Sequence, residues 1–377
     1  MTLTYQSDPY SVGRDPKSFI IRDFNGDSYL DLAVTNYDDH TFSILFGNKN
    51  GTFQTQQVYP TGNGTYPWGI ASADFNNDTF LDIAIALSIT NQIAFFFGTA
   101  SDGSFSRVPH IEVTCCCMFH NVYKDNKVRL IEANDLNNDG FIDLLVICKD
   151  PEENVDEFYN LLNQGNGSDY RSTVLYRYFP RNTDSFVFGD FNNNGKQNDL
   201  SLCSFVNQVV ILYDINSDDE DNKEPNLLEV TISEIPQSII RGRFNDDELD
   251  DLVLIAPESN TLHVLLNSGN ETFLRQIYHI NNYSVSITQI NFNNDSIDDL
   301  AILTRNQTIN IYRGSKLGIF FQENIISFQL LLNHTGTCFQ SLKAADLNQD
   351  GKDDLLLIDP DTQTIGVSLN INCNNHF

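Results

Sequence analysis

The sequence predicts an all-β chain folded as a seven-bladed β-propeller of four-stranded antiparallel blades, and three observations carry that prediction. A short acidic, Asn-rich loop recurs seven times, starting at residues 23, 74, 135, 190, 243, 291 and 346. The intervals between starts, 51, 61, 55, 53, 48 and 55 residues, lie near the upper end of the repeat length of propeller blades. No segment shows a helical period, whereas each loop is followed at once by an apolar run of strand length. A repeat of this kind overrides the two or three domains that 377 residues would otherwise suggest, so residues 1–377 are expected to form a single propeller.

Each unit reads in the same order. An apolar strand leads in, at 18–22, 69–73 and 286–290. After the loop a second strand leaves, at 32–35, 83–86, 144–147, 252–255, 300–303 and 355–358, and a third follows, at 42–46, 93–97, 209–213, 262–266, 309–312 and 365–369. Runs such as LAV, IAFFF and LLVI are apolar without alternation, as in strands covered on both faces by neighbouring blades. Fourth strands, at 53–59, 105–113 and 273–280, alternate with polar residues as outer strands should. The last unit ends after its third strand, while an orphan strand at 3–6 precedes the first unit. This N-terminal strand is expected to supply the outer strand of the last blade and so remove an open edge. The acidic stretch NSDDEDNKEPN at 216–226 is expected to be a mobile surface insert, with a smaller one at 151–156.

The chain holds 22 Lys and Arg against 51 Asp and Glu, a formal net charge of −29. That balance argues against nucleic acid and against anionic membrane surfaces, both of which need basic patches. No run approaches the ~20 apolar residues of a membrane span, so no membrane insertion is expected. The chain opens MTLTYQSDPYSV, without the basic and apolar regions of a leader peptide. The seven cysteines show no zinc spacing. Cys115, Cys116 and Cys117 cannot pair with one another and either reach separate partners or stay as thiols, and one local disulfide between Cys338 and Cys373 is plausible on their placement in the last unit.

The loop itself carries the chemistry. In DFNGDSYLDLAV, Asp23, Asn25, Asp27 and Asp31 place oxygen donors at positions 1, 3, 5 and 9, and a backbone carbonyl near position 7 can join them. Calcium takes six to eight oxygens at about 2.3–2.6 Å in irregular geometry and suits this donor set. Magnesium demands a tighter octahedron, and transition metals prefer His or Cys. The same pattern places Asp74, Asn76, Asp78 and Asp82 in the second loop, Asp135, Asn137, Asp139 and Asp143 in the third, and Asp346, Asn348, Asp350 and Asp354 in the seventh. The sixth loop offers Asn291, Asn293, Asp295 and Asp299, two carboxylates instead of three, and should bind more weakly. The fourth offers Asp190, Asn192, Asn194 and then either Asn198 or Asp199, with one residue extra. In the fifth, Arg243 occupies position 1; calcium is not expected there, and its guanidinium is expected among Asp247, Asp250 and Asp251 as an ion pair in place of the metal. An EF-hand needs flanking helices and a Glu at position 12, where these loops have Val34, Ile85, Val146 and Leu357. Turns rich in Asp and Asn also occur for conformational reasons alone, but that does not account for three Asp at one spacing in four copies.

These loops, with the following LFGNKNGTF at 45–53 and its echoes FFFG at 95–98 and LLNSGNETF at 265–273, resemble the FG-GAP repeats of integrin α-subunit propellers and the related VCBS-type repeats. The resemblance covers nearly the whole chain. It implies a seven-bladed propeller with calcium in loops on one face, and an extracellular or cell-surface role in adhesion or recognition. No integrin-type tail or span is visible, so integrin ligand binding is not carried over.

No nucleophile elbow, phosphate loop, dinucleotide fingerprint or HExxH motif occurs. Carboxylate pairs abound in so acidic a chain and discriminate nothing. The seven His are expected in turns or at the surface, and Trp68, the single Trp, in packing at a blade start. Nine N-x-S/T sequons, at Asn50, Asn63, Asn77, Asn166, Asn270, Asn282, Asn294, Asn306 and Asn333, are compatible with a glycoprotein. The expected function is a calcium-binding, non-catalytic scaffold for recognition of a protein or glycan ligand. The alternatives are a propeller-based glycan lyase or hydrolase using the central face, and a propeller module detached from a larger surface protein.

Overall fold

Seven antiparallel sheets, one per repeat, make up the computed structural model of the chain; five have four strands, and in blades 2 and 7 the outer position is shared by two short strands. It describes all residues except 1, 6–8, 100–101, 109–110, 113–126, 151–154, 181–184, 205–207, 216–225, 233, 270, 281, 307, 328–340 and 372–377. Blade 1 shows the plan. Its inner strand Pro16–Arg22 runs into the acidic loop, and the second strand Asp31–Asn36 returns from it. Thr41–Leu45 and the outer Gln57–Pro60 follow. Inner strands of the next six blades are Pro67–Ala73, Lys127–Asn134, Phe186–Gly189, Ser238–Gly242, Ser284–Ile290 and Leu342–Ala345.

The apolar second strands are buried along their whole length in blades 1, 2, 5, 6 and 7. Outer strands such as Asn226–Thr231 and Phe273–His279 alternate between half-buried and exposed. The core follows from this pattern: it is divided among seven apolar layers, each lying between two neighbouring blades and not within one. Leu32, Val34 and Leu45 of blade 1, for example, pack with Leu356, Ile358 and Val367 of blade 7. Phe42 and Ile44, on the other face of blade 1, pack with Ile83, Ile85 and Phe96 of blade 2.

The ring closes as the orphan strand predicts. Thr2–Tyr5 pairs antiparallel with Thr364–Ile371 in the register Thr2↔Ile371 to Tyr5↔Ser368, and Tyr10–Ser11 continues along the same edge. Two outer strands differ from expectation. In blade 1 the stretch expected as a strand from 53 is strand only from Gln57; Phe53 instead forms an isolated bridge to Gly47. In blade 2 the outer strand is broken into Phe105–Arg107 and Ile111–Glu112, both on Gln92–Gly98. The insert at 216–226 lies almost wholly outside the described residues, as do Cys115–Cys117, Cys338 and Cys373 and most of 151–156. Cys148 is disulfide-bonded. Among the described residues no helix is long and apolar enough to cross a membrane.

Candidate metal loops and the aspartate bracket beneath them

All seven loops sit where an inner strand hands over to a second strand, and so lie on one face of the ring. Two side-chain turns recur in every copy. The side-chain oxygen at position 3 accepts the N–H of position 5: Asn25 from Asp27, Asn76 from Asp78, Asn137 from Asp139, Asn192 from Asn194, Asn245 from Asp247, Asn293 from Asp295 and Asn348 from Asp350. Position 5 in turn accepts the N–H of position 7, as Asp27 does from Tyr29 at 2.8 Å. Asx turns of this kind are local chemistry, and they form in the Arg243 loop as well as in the others.

Position 1 separates the copies. Asp23 accepts the N–H groups of Gly26 and Ser28 at 2.7 and 2.8 Å. Asp74, Asp135 and Asp346 accept the N–H groups of positions 5 and 6, so the first of the two donors is one residue later than at Asp23. These bonds need left-handed backbone at positions 4 and 6, which Gly26 and Ser28, Asn77 and Thr79, Asn138 and Gly140, and Gln349 and Gly351 adopt. Asp190 of the fourth loop makes the same two bonds, to Asn194 and Gly195, with Asn193 and Gly195 left-handed. The extra residue therefore falls after position 6 and leaves the first half of the loop unchanged. In the sixth loop Asn291 Oδ1 is buried without a hydrogen-bond partner. In the fifth, the expected Arg243 ion pair is not what forms. Arg241, on the inner strand, reaches Asp250 at 3.2 Å, and the backbone N–H of Arg243 donates to Asp298 of the next blade at 2.8 Å. Asp298 feels the positive charge of both Arg243 and Arg241, which opposes the rise that burial imposes on its carboxyl.

Positions 1, 3 and 5 of the expected calcium loops share a half-buried to exposed rim, whereas the terminal Asp is fully buried in every copy. Asp31, Asp82, Asp143, Asp199, Asp251, Asp299 and Asp354 each accept a common pair of backbone N–H groups, to which Asn76 adds a third at Asp82 and Asn192 a third at Asp199. One comes from position 2 of the loop and the other from the residue closing the third strand, at 2.7–3.2 Å. Each is a bracket that pins loop, second strand and third strand together. In the fourth blade the bracket is Asp199, not Asn198. Burial pushes these carboxyls up, to about 6 for Asp31, Asp143, Asp199 and Asp299 and about 7 for Asp82, Asp251 and Asp354, and the backbone N–H groups oppose the rise. Among the described residues no three Asp, Glu, His or Cys side chains already converge as a metal cage.

The residue that receives the bracket is close-packed. At Gly47 a Cβ would lie 2.2 Å from the Leu30 carbonyl, so only glycine fits. In blades 3, 5 and 7 the equivalents are Asn163, Asn267 and Asn370, whose amides reach back to the carbonyls of Phe75, Phe191 and Phe292 in the preceding blade. Asp250, Asp298 and Asp353, each just before a bracket, also cross a blade boundary and accept the position 1 N–H of the blade before at 2.6–2.9 Å. Loop spacing alone misses these bridges; the doublets Asp250–Asp251, Asp298–Asp299 and Asp353–Asp354 are their only mark in the sequence.

On the opposite face Arg129 lies over the Trp68 ring at 4.6 Å from its centroid and Lys17 at 5.1 Å, with Tyr37 edge-on. His263, expected at the surface, is fully buried in the third strand of blade 5, beside Thr261 and 3.1 Å from Glu234, and burial lowers its pKa.

A model of the FG-GAP-like repeat matches residues 23–85, 135–198 and 291–357, more than half of the chain. The chain belongs to the FG-GAP-like repeat family. Each matched stretch runs from the start of one loop through most or all of the next, and the loop left out is the one that begins with Arg243. No curated protein matches the chain. Among solved structures, this FG-GAP-like propeller is similar to BBS1N in two crystals of its complex with ARL6DN. The TM-scores are 0.62 and 0.64 at 11% and 10% identity, over 99% of this chain and 98% of that one. It is also similar to Chaetomium thermophilum Raptor, with a TM-score of 0.63 at 10% identity, over 98% of this chain but only 29% of Raptor. At such identities the likeness is one of fold.

Proposed function

We propose that this FG-GAP-like propeller is a calcium-stabilised, non-catalytic scaffold that presents a protein or glycan recognition surface outside the cell. The observation that carries the reading is the contrast at position 1. The three-carboxylate loops at 23, 74, 135 and 346 share one backbone shape, with the oxygens of positions 1, 3 and 5 on a common rim. Each carboxylate oxygen accepts one N–H there and keeps a lone pair for a cation. Position 9 is fully buried in the bracket beneath this rim, so calcium is held by positions 1, 3 and 5 and the carbonyl of position 7, with water completing the shell. The orphaned Asn291 Oδ1 supports a weaker site in the sixth loop, formed with Asn293 and Asp295. The Asp190 loop has the shape but only one carboxylate among its first three donors.

A protein ligand is supported by the fold, since the similar BBS1N propeller is seen in complex with ARL6DN. The Cys148 disulfide and the exposed sequon residues Asn50, Asn63 and Asn166 support a secretory route. Calcium titration by calorimetry and by thermal melting tests the metal. The expected result is at least four bound ions and a fall in melting temperature on adding EDTA. Saturation at a hundredfold excess over Kd is worth about 2.7 kcal/mol per site. Unchanged melting in EDTA overturns the calcium reading.

A further inference from the structure

The axis of the ring holds a cavity of about 490 Å³ on the side of blades 7, 1, 2, 3 and 4, lined by their inner strands. Its lining is mostly small or apolar, but three charged side chains stand in it: Arg22 of blade 1, Glu132 of blade 3 and Lys343 of blade 7. They are close enough to feel one another's charge. Even so, neither Glu132 nor Lys343 has an oppositely charged partner within 4.0 Å among the described residues. Lys343 Nζ rests 5.2 Å from the Phe19 ring centroid. Ser72 Oγ, also on the lining, is buried without a hydrogen-bond partner.

Two cations against one anion leave one positive charge uncompensated inside the ring of a chain whose net charge is −29. Arg22 and Glu132 are exposed to the cavity and Lys343 is half-buried in its wall, so their charged ends are free to meet a ligand, and the buried, unpaired Ser72 Oγ beside them calls for a polar partner. The volume falls within the ~300–1,000 Å³ of small-molecule sites. We propose that the axial cavity is a binding site for a small hydroxylated monocarboxylate of monosaccharide size. Arg22 and Lys343 take the carboxylate, and Glu132 and Ser72 take hydroxyls. A monoanion balances the single excess charge, whereas a dianion would overcompensate it and a neutral sugar would leave it. Among the described residues Glu132 is the one carboxylate on its lining, whereas glycoside hydrolysis uses a pair, so the proposal is for binding.

The test is calorimetry on the full chain at saturating calcium, with glucuronate as the probe and glucose as the neutral control. Glucuronate is expected to bind one per chain, with glucose at least tenfold weaker. Lys343→Met and Arg22→Gln should each weaken glucuronate at least tenfold, and neither residue is one of the proposed calcium donors. Glu132→Gln removes a like charge and should tighten it severalfold, a gain that a purely structural role for Glu132 would not produce. Equal binding of glucuronate and glucose, no glucuronate binding at tens of millimolar, or equal affinity in Lys343→Met overturns the proposal. Should Lys343→Met fail to fold, Glu132→Gln decides: tighter binding supports the site, and unchanged or weaker binding sinks it.

Discussion

At the scale of single residues, the terminal aspartate of each loop does structural work whether or not a cation is near. Asp251 shows this most cleanly, because its loop opens with Arg243 and is not expected to hold calcium. It has no exposed surface, and its two oxygens take the N–H groups of Phe244 and Asn267. Replacing it by alanine leaves two buried donors unpaired, at roughly 1–3 kcal/mol each. The loss should also depend on pH. Burial raises the folded-state pKa of Asp251 to about 7, above the ~3.9 of an unfolded aspartate. The folded state thus binds the proton more tightly. The stabilisation from that proton is fully present below about pH 4 and is lost as pH rises through 7. In calcium-free buffer, Asp251→Ala should therefore destabilise the protein by about 2 kcal/mol more at pH 5 than at pH 8. Denaturant melts of both proteins at the two pH values check this, and an equal loss at both contradicts it. The spacing of Asp31 from Asp23 fits a metal ligand and a bracket equally well, since spacing does not reveal whether an oxygen faces an ion or an N–H. The distinguishing signal is that this Asp survives in all seven copies while position 1 becomes Asn in one and Arg in another.

At the scale of elements, the blades were legible where burial is symmetric and less so where it is not. Second strands such as Asp251–Ala256 are covered on both faces, so the apolar run marks them to within a residue. Outer strands touch one neighbour only, and polar residues, bulges and breaks cost them little. That is why the blade 1 outer strand starts at Gln57 and the blade 2 outer strand is split. The closing strand was legible for a different reason, a count of strands that did not come out even at either end of the chain. It covers the edge of Thr364–Ile371 by four backbone partners. Removing residues 2–5 should expose that edge, which is then free to pair with another chain. Hydrogen exchange in Thr364–Ile371 should rise before exchange elsewhere, and size-exclusion chromatography should show self-association that grows with concentration. Unchanged protection in that strand would mean that the last blade is held by its packing on blades 1 and 6 and by the remaining Tyr10–Ser11 pairing.

At the scale of the whole molecule, two effects of calcium have to be separated. A chain with a net charge of −29 repels itself, and any cation relieves some of that repulsion. The loop face concentrates the problem, because the position 1 and position 5 carboxylates of several blades lie on the same side of the ring. Monovalent salt screens charges farther apart than a Debye length, about 10 Å at 0.1 M and 3 Å at 1 M. It does not supply a ligand shell. Site binding and screening therefore diverge at high salt. In 0.5 M sodium chloride the general repulsion is largely screened, and a further rise in melting temperature on adding millimolar calcium reports coordination. Magnesium at the same concentration contributes the same ionic strength but demands a near-ideal octahedron and sheds its waters reluctantly. The expected result is that calcium raises the melting temperature by at least a few degrees in 0.5 M salt while magnesium does so by less than half as much. The calcium increment should shrink when Asp27, Asp78, Asp139 and Asp350 are replaced together by Asn, a change that keeps the position 5 turns to Tyr29, Phe80, Phe141 and Lys352. Equal effects of the two ions, or an increment that vanishes in salt, would reduce the loops to charged turns and leave the brackets and blade-to-blade bonds as the whole of what holds that face together.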